Sequence, residues 1–377
     1  VSEPEAAALA VRAGATVFSG EKSTLVQTGP RPLVPGGSGI EQLRRTAAAL
    51  DGAPVGLIAA GAVPFDLRTP GALRLGTGES VPGPLQLPPA GRRKQVTVAR
   101  SRPRPAPSGY ADAVRTALSR IATGEVAKVV LARTLELEAL DDWSIPDLVA
   151  ELVARNPAAT ALAVPIDDPA DSQARWLVGA SPELLLRRRG PSVLLRPLAG
   201  SIPRSPEPDE DMRRADALMS SDKDRREHAF VVDAIVESLR PFCRTITTPE
   251  PELMATPAVW HLATRITALL NDTDTTSVDL VAALHPTPAV GGSPREAAMR
   301  VIGEVEGLDR GCYAGAVGWQ DVHGDGEWVV AVRCAEVSGR SLRIFAGAGI
   351  VAGSDPVLEV AETAAKMRTV LDSAIPR

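Results

Sequence analysis

Lysine is almost missing from this chain. Of 41 basic residues only five are lysine (Lys22, Lys94, Lys128, Lys223 and Lys366) and the rest are arginine. Where any cation would do the chain uses arginine, so a retained lysine marks a candidate site for an amine that can lose its proton, which a guanidinium cannot. Lys22 and Lys94 lie in polar surroundings and are read as chance retentions. Cysteine is scarce too: Cys243, Cys312 and Cys334 are odd in number, far apart and without a CxxC pair, which argues against structural zinc and a disulfide framework and makes a reducing cytoplasm the expectation. No apolar run approaches the roughly 18 residues that a membrane-spanning helix needs. The opening VSEPEAAALAVRAG lacks the layout of a signal peptide, and the missing initiator Met is taken as processing or trimming. A net charge of −5 with no basic stripe disfavours duplex nucleic acid as a partner. Also missing are HExxH or paired histidines, a GxSxG elbow, a Walker A loop and any internal repeat, so catalytic zinc, that serine chemistry and P-loop nucleotide binding fall away.

What is present is an ordinary globular composition, 44% hydrophobic and 23% charged over 377 residues. Residues 1–100 read as short strands and turns punctuated by proline and glycine (PRPLVPGGSG, VPGPLQLPPAG). SRPRPAPSG, residues 101–109, reads as an extended connector, followed by a helix carrying Tyr110, Val114, Leu118 and Ile121, with Ser108 as its cap. VAKVVLARTLELE then reads as a strand, and further strands are mixed with charged helices, one of them broken near Ser220 and Ser221. A last helix is expected over about 356–373, with Ser354-Asp355-Pro356 as cap and first turn. Strands and helices do not alternate regularly, which predicts a large α+β fold with extensive antiparallel sheet. One unit over 1–377 is expected, with 1–105 its variable N-terminal part and 106–374 its motif-bearing catalytic part.

Three places could carry chemistry. Lys128 sits in VAKVVLA, apolar on both faces, where burial disfavours the charged amine. On the helix KDRREHAFVVDAIVESL, one turn back from Val231 along the apolar stripe lies Glu227, an inward carboxylate next to His228. On the last helix Glu359, Glu362 and Lys366 share a face, which an i,i+4 Glu–Lys pair would explain. Together with Glu227 they also form a set of hard oxygen ligands suited to Mg²⁺. FAGAGIVAGSDP imitates a dinucleotide loop, but with the last helix expected directly after it no second parallel strand is expected to complete a βαβ unit; its glycines remain suited to bringing backbone N–H groups to an anion.

KVVLAR, GASPELLLR, PLAGS, SDKDRREH, LHPTPAVGGSP, YAGAVGW, VRCAEV, GAGIVAGSDP and the closing ExxETxxK, in this order, together resemble the chorismate-utilising enzymes. The resemblance implies one large α+β domain of two packed antiparallel sheets with helices outside and a Mg²⁺-dependent site between. It implies Lys128 as base for an attacking water and Glu183 as acid for a leaving hydroxyl, a role the residues alone do not suggest for Glu183. By the same resemblance Glu227 and Glu362 hold Mg²⁺, with Glu359 close by and acting through water. Gly200, Ser201, Arg333, Gly347 and Lys366 would hold substrate carboxylates, and His285, Ala289, Val290 and Tyr313 would line the pocket. Lys223, inside SDKDRREH, keeps an open role.

Within that family, Ala199 stands where the aminodeoxychorismate-forming branch typically has a nucleophilic lysine, and Lys128 is a lysine that the anthranilate-forming branch generally lacks. Lys128 with LHPTPAVGG resembles the isochorismate-forming branch, with salicylate synthase as the alternative. A non-catalytic binder of anionic metabolites would leave Lys128 and Glu183 as spectators. No glutaminase partner, nucleic acid or membrane is expected, and the plain surface suggests a monomer.

Overall fold

The computed structural model describes residues 14–29, 32–86, 96–167 and 173–375. Lys94 lies outside them. The described residues form an α+β fold, with one 17-stranded sheet, one three-stranded sheet and eight helices. Strand pairings are antiparallel throughout, as the irregular strand–helix order predicts. No helix among the described residues is long and apolar enough to cross a membrane.

The strand Lys128–Ala139 organises the large sheet. It pairs along its whole length with Ser341–Val351, so Lys128 faces Val351, Val130 faces Gly349 and Ala132 faces Gly347. Its start also pairs with Gly292–Ser293, at the end of the LHPTPAVGG segment. Strands from the N-terminal hundred residues enter the same sheet: Thr16–Ser19 pairs with Thr160–Pro165, and Leu57–Val63 with Ala316–Asp321. Their side chains join one apolar core, in which Phe18, Leu43 and Leu73 belong with Val231, Trp328 and Ile350.

Three local expectations are corrected. The N-terminal part contains a helix, Gly39–Leu50, capped by Ser38, whose hydroxyl accepts from the Glu41 N–H. The proline and glycines before it lead into the Ser38 cap, while Leu43, Thr46 and Leu50 recur on one buried face. The proline-rich run is no free connector either, because Val98–Arg104 is a strand paired with Lys128–Ala139. Among the described residues this strand has a neighbour on one side alone, which is where a proline such as Pro103 is tolerated. The helix after it starts at Pro107, with Ala106 at the cap position and no side-chain cap, so Ser108 lies inside the first turn.

Two helices bring acidic groups to the sheet. The helices Pro208–Ser220 and Asp222–Leu239 meet at Ser221, which caps the second by accepting from Asp224 N–H at 3.2 Å. The stripe Val231, Ile235 and Leu239 is buried, each such side chain contributing roughly 1.5–3 kcal/mol, and it carries Glu227 inward. The closing helix Pro356–Ala374 is capped by Asp355, which accepts from the N–H groups of Val357 at 2.7 Å and Leu358 at 3.1 Å. Arg133, on the central strand, donates to Thr363 Oγ1 at 2.8 Å and to the Val360 carbonyl at 3.0 Å, fixing this helix over the sheet.

Candidate active site

The ends of these elements enclose a cavity. Glu183, Gly200, Ser201, Glu227, Ala289, Val290, Tyr313, Arg333, Gly347 and Lys366, all singled out from the sequence, line it. Lys128 lies directly behind them, its side chain wholly cut off from solvent. Its Nζ stands 3.0 Å from Glu227 Oε1, an ion pair in which the amine is sealed from solvent. Gly349 makes room for this pair: a Cβ there would fall 2.1 Å from Glu227 Oε1 and 3.0 Å from Lys128 Cε. Burial pushes the Glu227 carboxyl up, but the Lys128 charge, with Lys366 and Lys223 behind it, reverses this and leaves it below the usual carboxylate range.

On the facing wall, Leu198–Pro203 bulges between Ala199 and Ser201, where Gly200 adopts a left-handed φ of 75°. The bulge leaves Ser201 Oγ donating to Glu362 Oε1 at 2.8 Å. Lys366 donates to the same oxygen at 2.5 Å, the expected i,i+4 pair, and to the Gly347 carbonyl at 3.1 Å. Glu359 is also buried and receives Lys223 Nζ at 3.2 Å. Each of the three carboxylates assigned to a metal therefore faces its own lysine. Among the described residues, no three acidic, histidine or cysteine side chains already converge as a metal cage. The donor set nevertheless suits an oxygen-seeking dication, since burial and the neighbouring charge of Glu362 push the Glu359 carboxyl up to about 7. Negative charge is crowded there, and a cation would relieve it.

Glu183 follows the Ser-Pro turn that precedes the strand Leu184–Arg189. Burial pushes its carboxyl up to about 7, against the lowering effects of a Leu198 backbone hydrogen bond and the charges of Arg333, Lys128 and Lys366. An acid poised near neutrality can hold a proton and still give it up.

Arg333 has a left-handed backbone, φ 55°, uncommon for a residue with a side chain. Its Nη2 lies 3.1 Å from His261 Nε2. A guanidinium has only donors, so this imidazole nitrogen accepts and its proton sits on Nδ1, toward the Gly200 backbone. Burial and the Arg333 charge hold His261 well below its ordinary value and keep it neutral. Sequence reasoning missed His261, which lines the cavity beside Arg333. Tyr313 stacks on Phe345 with ring centres 4.8 Å apart. The Ala289–Val290 segment is pinned by Arg310, which donates to the Val290 carbonyl at 2.8 Å while bound to buried Glu306.

His285 is not where the resemblance puts it. It does not line the cavity; its Nε2 lies 3.0 Å and 3.1 Å from the carbonyls of Pro64 and Phe65, where it serves as a buried tie to the N-terminal part. His228 is a similar strut, 2.8 Å from Thr264 Oγ1 and 3.2 Å from the Ala199 carbonyl.

Residues 86–374 match the family model described as chorismate binding enzyme, and the chain belongs to that family. It is 46% identical over 316 residues to isochorismate synthase DhbC of Bacillus subtilis (strain 168), covering 82% of this chain and 79% of that one. Against isochorismate synthase EntC of Escherichia coli (strain K12) the identity is 38% over 319 residues, covering 83% and 80%. The crystal structure of DhbC from Bacillus anthracis superposes with a TM-score of 0.91 at 37% identity, covering 98% of this chain and 99% of that one.

Proposed function

We propose that this cavity isomerises chorismate to isochorismate, and that the chain is an isochorismate synthase. One observation carries the residue-level reading: a solvent-free lysine amine, 3.0 Å from Glu227, lies behind one wall of a cavity that the Glu183 carboxyl, poised near neutrality, also lines. With Lys128 as the neutral amine, its proton already released, a water attacks C2 of the ring and gives a proton to Lys128 Nζ as the new C–O bond forms. The two ring double bonds shift toward C4, the C4–O bond breaks, and Glu183 protonates the departing hydroxyl to water. One hydroxyl is gained and one lost, so no oxidant, ammonia or second substrate is needed.

Arg333 takes a substrate carboxylate in its fork, with His261 fixing the angle of the guanidinium. Lys366, Gly347 and the Gly200–Ser201 bulge receive the second carboxylate, and Ala289, Val290 and Tyr313 bound the ring. Glu227 and Glu362 are the residues that would hold Mg²⁺, with Glu359 nearby. The ion would offset their charge and that of the substrate. The chain acts as one catalytic unit in the cytoplasm, without a glutaminase; strand pairing between its N-terminal part and the rest supports the single-unit reading.

Incubation with chorismate and Mg²⁺, with products identified by mass and absorbance, tests the reaction. Isochorismate should form reversibly without pyruvate and without ammonia. Stoichiometric pyruvate and salicylate would replace this reading with salicylate synthase.

A further inference from the structure

Lys223 has no part in the reaction just described, yet its amine reaches one of the carboxylates assigned to the metal. It lies one helical turn before Glu227 on the helix Asp222–Leu239, and its Nζ crosses to Glu359 Oε1 on the closing helix at 3.2 Å. Glu359 is all but closed to solvent at 2% exposure, whereas the Lys223 side chain keeps 31%. Of the three lysines that face these carboxylates it is the accessible one; Lys128 is at 0% and Lys366 at 11%. A buried carboxylate needs a compensating charge, and here an exchangeable ammonium provides it.

We propose that Lys223 is a resident counter-ion that a divalent metal must displace from Glu359, so that this lysine sets the metal affinity of the site and ties the two helices together while the metal is absent. This rests on the reading of Glu227, Glu359 and Glu362 as the metal carboxylates. The physical reason is that an ammonium and a dication compete for the same oxygens and repel each other at contact range. A lysine on a flexible stem, at the rim, can swing into water when displaced. Lys128 and Lys366 are enclosed and cannot leave so readily.

The test is calorimetric titration of the whole chain with Mg²⁺ alone, no substrate present, comparing wild type with Lys223→Met, Lys223→Gln and Lys223→Arg. The neutral variants should bind Mg²⁺ about tenfold more tightly, because the competitor is gone, and Lys223→Arg should stay close to wild type. In chelator the neutral variants should melt below wild type, since Glu359 is then buried without the compensating charge of Lys223, and Mg²⁺ should raise their Tm by more than it raises that of wild type. The partly exposed first-turn position makes all three substitutions compatible with folding, and two neutral side chains guard against an effect peculiar to one. Unchanged or weaker Mg²⁺ binding in both neutral variants, with wild type binding normally, overturns the counter-ion role and leaves the metal site intact. Absence of Mg²⁺ binding in every protein overturns the metal reading and this inference with it.

Discussion

Lys128 Nζ and Glu227 Oε1 stand 3.0 Å apart across two elements, a central strand and a helix laid over it, with the lysine fully enclosed. Removing one member of such a pair strands the other charge. Lys128→Met should therefore cost roughly 3–5 kcal/mol of stability in chelator. The double variant Lys128→Met/Glu227→Gln should recover most of that loss. Urea unfolding of the four proteins of this cycle measures the coupling, and a near-zero interaction energy would contradict the pairing.

Lys128→Arg separates charge from proton transfer. It keeps a cation beside Glu227 but supplies no usable base, because guanidinium stays protonated. Its kcat should fall by about 10² or more, while chorismate and Mg²⁺ binding change much less. A variant with nearly wild-type kcat would reduce the lysine to a charge and place the base elsewhere.

Glu183 should impose a limb on the pH–rate profile. As the acid it must be protonated, so kcat should decline as pH rises through about 7, the value to which burial pushes it. Glu183→Gln should lower kcat by about 10² and remove that limb. The same group affects stability. Its folded value lies above the ordinary 4.5, so its contribution is complete below that and is lost as pH rises through about 7. Between pH 4 and pH 8 the urea midpoint of wild type should fall relative to that of Glu183→Gln as pH rises from 4.5 through about 7, and the gap should not change outside that window.

Much of this site was legible in the sequence because single residues broke local rules. A lysine inside an apolar strand and a glutamate on an apolar helical stripe are both expensive, and both lie at the cavity. The helix break at Ser221 and the Asp355 cap were readable for the same local reason. Relations between distant segments were not. His261 is a lone histidine in a strand, and its importance comes from Arg333, 72 residues further on. Nothing in SDKDRREH says that Lys223 reaches a carboxylate 136 residues away. The helix Gly39–Leu50 was hidden because prolines and glycines just before it resemble strand punctuation, whereas they lead into its cap. His285 was placed at the pocket by resemblance, and only the fold shows its ring turned toward Pro64 and Phe65.

Chelator should abolish activity and added Mg²⁺ restore it. Glu227→Gln and Glu362→Gln should each weaken Mg²⁺ binding by about tenfold or more, because an amide lacks the charge that holds a hard dication. Glu359→Gln should weaken it less if that carboxylate acts through water. Direct Mg²⁺ titration distinguishes these, and full activity in excess chelator would refute the assignment.

His261 should govern how the substrate is held, with little effect on its reaction. Its Nε2 accepts from Arg333 Nη2 at 3.1 Å, and this bond fixes a guanidinium whose backbone already sits at φ 55°. Replacing His261 with Phe keeps bulk but leaves a buried donor without an acceptor and lets the Arg333 fork turn. KM for chorismate should rise by about tenfold while kcat falls less, because the proton-transfer groups Lys128 and Glu183 are untouched. Arg333→Lys should raise KM at least as much, since a point charge cannot match two carboxylate oxygens as a planar fork does. His261→Gln, whose side-chain carbonyl can still accept, should restore part of the binding. In the double variant His261→Phe/Arg333→Lys the KM penalties should not add, as expected when one residue acts through the other. Fully additive penalties in steady-state kinetics would mean that His261 and Arg333 serve the substrate separately.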